Sequence, residues 1–259
     1  MGKEEEERLG RIGVAQFFPH EKLEVYGMAL RFAALAEEML CSWPSSWAVH
    51  DQLDRATESI VTNLAKAARL RATESGIYNI ECSLGSVLEC AACLDVAFRR
   101  QLIDLPRIQH AKGLLQGIAG MEVALRTSWG NRIREEGDLY GAKPRGYFLH
   151  ESLNVYQRSL QVHEMLGDLW RHDQTRSRYV RRVDEVSTSL TINIAEGNGR
   201  FSKLDHRKFI EVAEDAGTKL AAYLDLIQAA SLIDVAGTKA FLRQVMAMLS
   251  GLRGYLNAD

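Results

Sequence analysis

Between residues 183 and 200 the positions Val183, Val186, Leu190, Asn193, Ile194 and Gly197 recur at three- and four-residue steps. This spacing puts them on one face of an α-helix, an apolar stripe with the polar Asn193 inside it. Residues 52–71 repeat the layout with Leu53, Ala56, Ile60, Asn63 and Ala67, and Asn63 precedes Asn193 by 130 positions. The same spacing relates HEKLEVYGMAL at 20–30 to HESLNVYQRSL at 150–160, and LID at 102–104 to LID at 232–234. A period so far above that of solenoid repeats predicts two related domains.

Helical periodicity predicts four helices in each half. In the first they cover residues 21–41, 52–71, 73–99 and 106–129, with Pro44 and its neighbouring serines ending the first helix and Pro106 opening the fourth. In the second they cover 151–171, 175–197, 204–230 and 235–255, and almost nothing alternates like a strand. Amphipathic helices joined by short turns bury their apolar faces by packing together. The expected fold is all-α: tandem up-and-down four-helix bundles at 20–128 and 149–257, with a polar N-terminal tail at 1–19 and a glycine-containing linker at 129–148. Asn63 and Asn193 are expected to set register by hydrogen bonding to another helix, with ligand contact as the alternative.

The chain has 259 residues, a formal charge of −2 and a pI near 6.4, so nucleic-acid contact requires a local patch rather than a global cationic field. No apolar run approaches 18 residues, and MGKEEEERLGR is not a secretion signal. Four cysteines, all in the first half, are too few for a small secreted scaffold. These features predict a cytoplasmic protein that does not enter membranes.

Catalytic signals are sparse. Cys90 and Cys93 spell C-A-A-C deep inside a predicted helix, whereas redox dithiols sit at helix starts; with Cys82 they read as core fillers. No histidine follows a glutamate by three positions, which disfavours a dimetal bundle. The Arg145-to-His150 spacing resembles that of four-helix ribonucleases, but here it spans the linker and a first turn. No catalytic residue, metal or cofactor is therefore expected.

Basic residues offer more. Arg171, Arg176, Arg178, Arg181 and Arg182 face only Asp173 within their stretch, and Arg200, Lys203, Arg207 and Lys208 surround a predicted turn. Such groups engage phosphates, or serve as solvated helix ends with intramolecular ion pairs.

The second half resembles the four-helix proteins encoded by intervening sequences of bacterial 23S ribosomal RNA genes. The resemblance rests on LNVYQRSL at 153–160, NIAEGNGR at 193–200 with its Asn193, Glu196 and Gly197, then Phe209 and the glycine of AEDAGTKL. The family pattern is close to N-I-A-E-G-x-G-R, then an aromatic residue and G-S-x-x-E. The first half resembles a diverged copy, with NLAKA at 63–67 but GSVLE at 85–89. Aligning GSVLE with GTKLA at 217–221 leaves neither half with both family acids, since Lys66 and Ala221 stand in for them. The resemblance extends to accessory proteins of diversity-generating retroelements, which associate with RNA and a reverse transcriptase, and to assemblies in rings. The two basic clusters, with the resemblance adding to them, lead to the expectation of a non-catalytic adaptor whose partner is RNA or a nucleic-acid-processing protein, and broad helical faces allow a homo-oligomer. A protein scaffold is the alternative, with a four-helix ribonuclease behind it.

Overall fold

The computed structural model describes residues 18–134, 148–167, 169, 178–200, 202–230 and 234–257. Among them are eight α-helices and no strand. They are α1 (Glu24–Leu40), α2 (Ala48–Leu70), α3 (Glu74–Arg99), α4 (Leu105–Arg134), α5 (Asn154–Met165), α6 (Arg178–Asn198), α7 (Lys203–Ala230) and α8 (Ala236–Asn257). A 3-10 turn precedes α1 at Pro19–Lys22 and another precedes α5 at Leu149–Ser152, 130 positions apart. Within α1–α4 each helix packs on its chain neighbours and α1 closes on α4; α5–α8 repeat the arrangement. Helix α4 continues through Arg134, past the end that periodicity predicts, with Trp129 buried near its end.

The apolar stripes pack as their spacing requires. Leu53, Ile60 and Leu64 of α2 are fully buried, as are Val183, Leu190 and Ile194 of α6. The two asparagines differ from expectation. Asn63 Nδ2 donates to Ser59 O at 2.9 Å and Ser59 Oγ at 3.1 Å, and Asn193 Nδ2 donates to Ser189 O at 2.7 Å and Ser189 Oγ at 3.1 Å. A serine four residues back thus satisfies each amide within its own helix, so neither makes the direct register bond to a neighbour. In the first bundle the link reaches α3 indirectly, because Ser59 Oγ accepts from Ser86 Oγ at 2.7 Å.

Helix α3 is apolar around most of its circumference. Ile80, Val87, Cys90, Leu94 and Ala97 are buried, and so are Ile210, Gly217, Leu220, Leu224 and Ile227, their counterparts 130 positions on in α7. Leu88, Ala92 and Val96 are also buried, whereas the matching Thr218, Ala222 and Leu226 are exposed. The second face of α3 packs against α5 and α6 of the other bundle, and α2 also touches α6. A helix buried on two sides needs this all-round apolarity. The buried residues consequently form one continuous cluster through both bundles.

The end of α3 positions the junction. Gln101 adopts φ 59°, and Leu102 N bonds to Ala97 O at 2.9 Å while Gln101 N bonds to Phe98 O at 3.0 Å. This Schellman-type end turns the chain at Arg100, whose side chain is fully buried against α5 and α6. Its guanidinium pairs with Asp184 and donates to Thr188 Oγ1 at 3.1 Å and Ser187 Oγ at 3.3 Å, with its Cζ 5.3 Å from the centre of the Trp47 ring. Asp184 also accepts from Ala48 N at 2.6 Å, at the start of α2, where unpaired amides favour an anion. Arginine only donates, so His163 Nδ1, 3.0 Å away, accepts; Nε2 then holds the ring proton and gives it to Thr191 Oγ1 at 3.1 Å. Burial, with the Arg100 charge second, holds the His163 pKa far below its usual range.

A second buried charge-bearing group lies inside the first bundle. Ser83 Oγ approaches both Ile60 O at 3.2 Å and the Glu122 carboxyl, yet carries one proton for two acceptors. A protonated Glu122 resolves this by donating to Ser83, which donates on to Ile60 O. Full burial agrees, pushing the Glu122 pKa up to about 8.

Two stability measurements check these assignments. Arg100→Ala strands Asp184 in the junction and is expected to cost about 3–5 kcal/mol in urea unfolding, while Arg100→Met with Asp184→Leu costs less because no lone charge remains. For Glu122 the folded pKa lies above the unfolded one. Stability is therefore full below the unfolded pKa near 4.5 and falls as pH rises toward about 8. The slope is on the order of 1 kcal/mol per pH unit. Glu122→Gln, which keeps a donor for Ser83, should remove that decline and leave the variant more stable than the parent at neutral pH.

Candidate functional site

The far end of the same junction brings together residues from the two motif copies. Helix α3 runs antiparallel to α6, so Gly85, Leu88 and Glu89 meet Glu196, Gly199 and Arg200. A Cβ added to Gly85 would lie 3.2 Å from an Arg200 amino nitrogen and 3.4 Å from Glu196 Oε1, and one on Gly199 would collide with Leu88. Gly197 serves a different contact: its Cβ would sit 2.9 Å from Phe209 Cβ, so its bare backbone lets α7 approach α6. The two family acids, absent as a pair from either half, are thus reunited across the halves, Glu89 from the first and Glu196 from the second.

Burial pushes Glu89 up to about 7, with the Glu196 charge adding to the shift and Arg55 and Arg200 opposing it. Glu196 is also raised by burial, against the pull of Arg200. Arg200 pairs with Glu196 and places its Cζ 4.4 Å from the centre of the Phe209 ring. The group acts as a charge-matched seam between bundles.

The structure also corrects the alignment of the second motif. Gly217 faces α8, where its Cβ would press on Met246, so it does not correspond to Gly85. The shared burial pattern pairs Gly85 with Asp215 and Glu89 with Lys219. No sequence motif marked this shift; the 130-residue spacing of the LID segments could have.

Among the described residues, the two basic clusters lie at opposite ends of α6. Arg171 and Arg176 lie outside the described residues, and Arg178 opens α6. Arg181 and Arg182 are exposed and flank Glu185, at 3.2 and 2.8 Å. Across the length of α6, roughly 30 Å, Arg200 is turned into the junction. Lys203 is exposed at the start of α7. Lys208, also exposed, meets Asp205 at 3.0 Å, while the half-buried Arg207 meets Glu211 at 3.4 Å and Asn257 at 3.2 Å. The turn between α2 and α3 lies at this same end, because α2 begins beside Asp184 and α3 passes Arg200. Exposed Lys66, Arg69 and Arg71 therefore share the end with Lys203 and Lys208.

Other groups with chemical potential are committed elsewhere. Cys90 and Cys93 are fully buried free thiols, and burial raises both pKa values well above the usual range, consistent with core filling. Asp95, His150 and Glu151 offer ligand atoms within 4.8 Å of one another. The Lys112 ammonium already bridges the two acids, at 2.5 Å from Asp95 and 2.7 Å from Glu151, and supplies the cation there. Asp95 also accepts from Tyr156 OH at 2.8 Å. His150 packs edge-on against Tyr156, its centroid 4.7 Å away, and burial with the nearby Lys112 charge lowers its pKa to about 3. Arg145, its sequence-level companion, lies outside the described residues. No described helix is long and apolar enough to cross a membrane.

No curated protein and no solved structure matches the chain. A family model does, over the copy with the more altered N-I-A-E-G motif and the intact G-S-x-x-E: residues 21–123, spanning the helices of the first bundle as far as Val123 in α4, match the model of the 23S rRNA-intervening sequence protein family.

Proposed function

We propose that this protein is a non-catalytic adaptor that binds RNA through the end of the molecule carrying the α2–α3 and α6–α7 turns. The observation behind this reading is that exposed Lys66, Arg69 and Arg71 lie toward the same end of the molecule as Lys203, Arg207 and Lys208, the α2–α3 turn standing roughly 15 Å beyond the α6–α7 turn along the helix axes. The amides opening α7 add phosphate donors. The ion pairs of Lys208 and Arg207 with Asp205 and Glu211 are solvent-facing and weak enough to yield to phosphate. The match of residues 21–123 to the 23S rRNA-intervening sequence protein family supports RNA as the class of partner. Arg181 and Arg182 provide a second contact for an RNA long enough to span α6, with Arg171, Arg176 and Arg178 preceding them in the chain. The adaptor's other role in this reading is to hold a nucleic-acid-processing protein beside the RNA. Chemistry at the Glu89–Glu196 seam has no part in it, because Glu196 is paired with Arg200 and both acids are largely buried between the bundles.

Binding of the purified chain to a structured RNA fragment, followed by filter retention across a salt series, tests the proposal. Affinity should fall by at least about tenfold between 50 and 200 mM salt as counterions are released. Lys203→Glu with Lys208→Glu should weaken binding and shallow the salt slope by about one unit per lost phosphate contact, with unfolding curves unchanged. Absence of binding at low salt, or affinity indifferent to both salt and the double substitution, overturns the RNA reading.

A further inference from the structure

The duplication supplies a direct comparison of two copies of one surface, covered in the second bundle and open in the first. The face of α5 and α6 that receives α3 contains Tyr156, Leu160, Asp184 and Thr188, all buried. The corresponding residues of α1 and α2 are Tyr26, Leu30, Asp54 and Glu58. Leu30 is 47% exposed where Leu160 is 2%, and Phe18 is 68% exposed where Phe148 is 9%. Tyr26 is half-buried, and Asp54 and Glu58 are exposed. Residues packed into the bundle's own core, such as Val25 and Leu53, are buried in both copies, so the difference is confined to the docking face.

The open face retains two groups that bind α3 in the covered copy. Tyr26 stands where Tyr156 donates to Asp95, and Asp54 stands where Asp184 receives Arg100. The matching groups on α3 are an acceptor, Asp95, and a donor, Arg100, five residues apart. A second copy of this chain does not supply both. In α7 the position of Asp95 is held by Asp225, already paired with Lys239, and that of Arg100 by Ala230. Asp51 is already paired with Arg55 at 3.2 Å, but the exposed Asp54 and Glu58 of the open face call for a cation that α7 does not bring.

We propose that the outer face of α1 and α2 is a docking site for a helix of another protein. That helix carries an aspartate that meets Tyr26 and, five residues later, an arginine that meets Asp54. Its apolar side covers Leu30, Val61 and Ala65, as Leu88, Ala92 and Val96 cover the equivalent ground in the second bundle. This inference does not depend on RNA binding at the basic end.

A helix-stapled, fluorescent peptide of residues 81–104, which contains Asp95 and Arg100, serves as the probe against the full-length chain. Saturable binding is expected in anisotropy titrations. It should weaken by at least about tenfold with Asp54→Ala in the protein or with the Arg100→Ala change in the peptide, and Tyr26→Phe should weaken it less. Lys203→Glu should leave it unchanged. No saturable binding overturns the proposal. So does binding insensitive to Asp54→Ala, which would mean that the peptide displaces α3 from the second bundle. Sedimentation that shows concentration-dependent dimers of the unmodified chain, abolished by Leu30→Asp, overturns the assignment to a foreign helix and gives the face to a second copy.

Discussion

The buried Arg100–Asp184 pair is the constraint on which the relation between the two bundles depends. A guanidinium with no exposed side-chain surface is stable only when its charge and its donors are satisfied, and no single helix supplies all its acceptors. Asp184, Ser187 and Thr188 come from α6 and His163 from α5, while Asp184 is itself held by the amide that opens α2. The pair adds little net stability over an apolar replacement, since desolvating two charges offsets much of their attraction. Its consequence is geometric: a displaced α3 would leave an unpaired charge in the core, so alternative registers of the junction carry a large penalty.

That geometry brings the seam at the other end into place. With Arg100 anchored, the antiparallel run of α3 along α6 places Glu89 beside Glu196 and lets Leu88 occupy the space above Gly199. Two acids in one partly buried site would repel. Arg200 and Arg55 lower that cost, and the raised pKa of Glu89, near 7, takes up the remainder by favouring its neutral form. Arg200 belongs to the same basic turn as Lys203 and Lys208, yet it is oriented inward, because Glu196 lies one helical turn behind it and Phe209 offers a ring face.

The helices, their order and the duplication were legible because each depends on local period: three- and four-residue steps locate an amphipathic helix, and a fixed 130-residue offset relates two copies. The asparagines were legible as polar exceptions, but not their bonds, since Ser59 and Ser189 lie four residues away on the same helix and periodicity does not choose between local and tertiary partners. The junction was illegible for a different reason. Arg100 sits in a run with Arg99, where sequence suggests a solvated helix end, and only tertiary packing distinguishes the exposed position from the buried one. The basic clusters were likewise legible as composition, while the separation of Arg181 from Lys203 by the length of α6 is a property of the folded helix.

The apparent loss of one acid from each motif copy also has a tertiary explanation. Glu196 and Gly199 are present in the second copy, where α6 is covered; Lys66 and Arg69 occupy the equivalent places in the first, where α2 is open. Gly85 and Glu89 are present in α3, whose second face is buried, and Asp215 and Lys219 replace them in α7, whose equivalent face is exposed. For Glu196, Gly199, Gly85 and Glu89 both differences follow one rule: these residues occur where the two bundles meet, and charged residues suited to water occur where they do not. The two acids of the motif, with Gly85 and Gly199, therefore form the two halves of a contact between bundles. A chain with one internal contact needs each half once, which is the distribution observed.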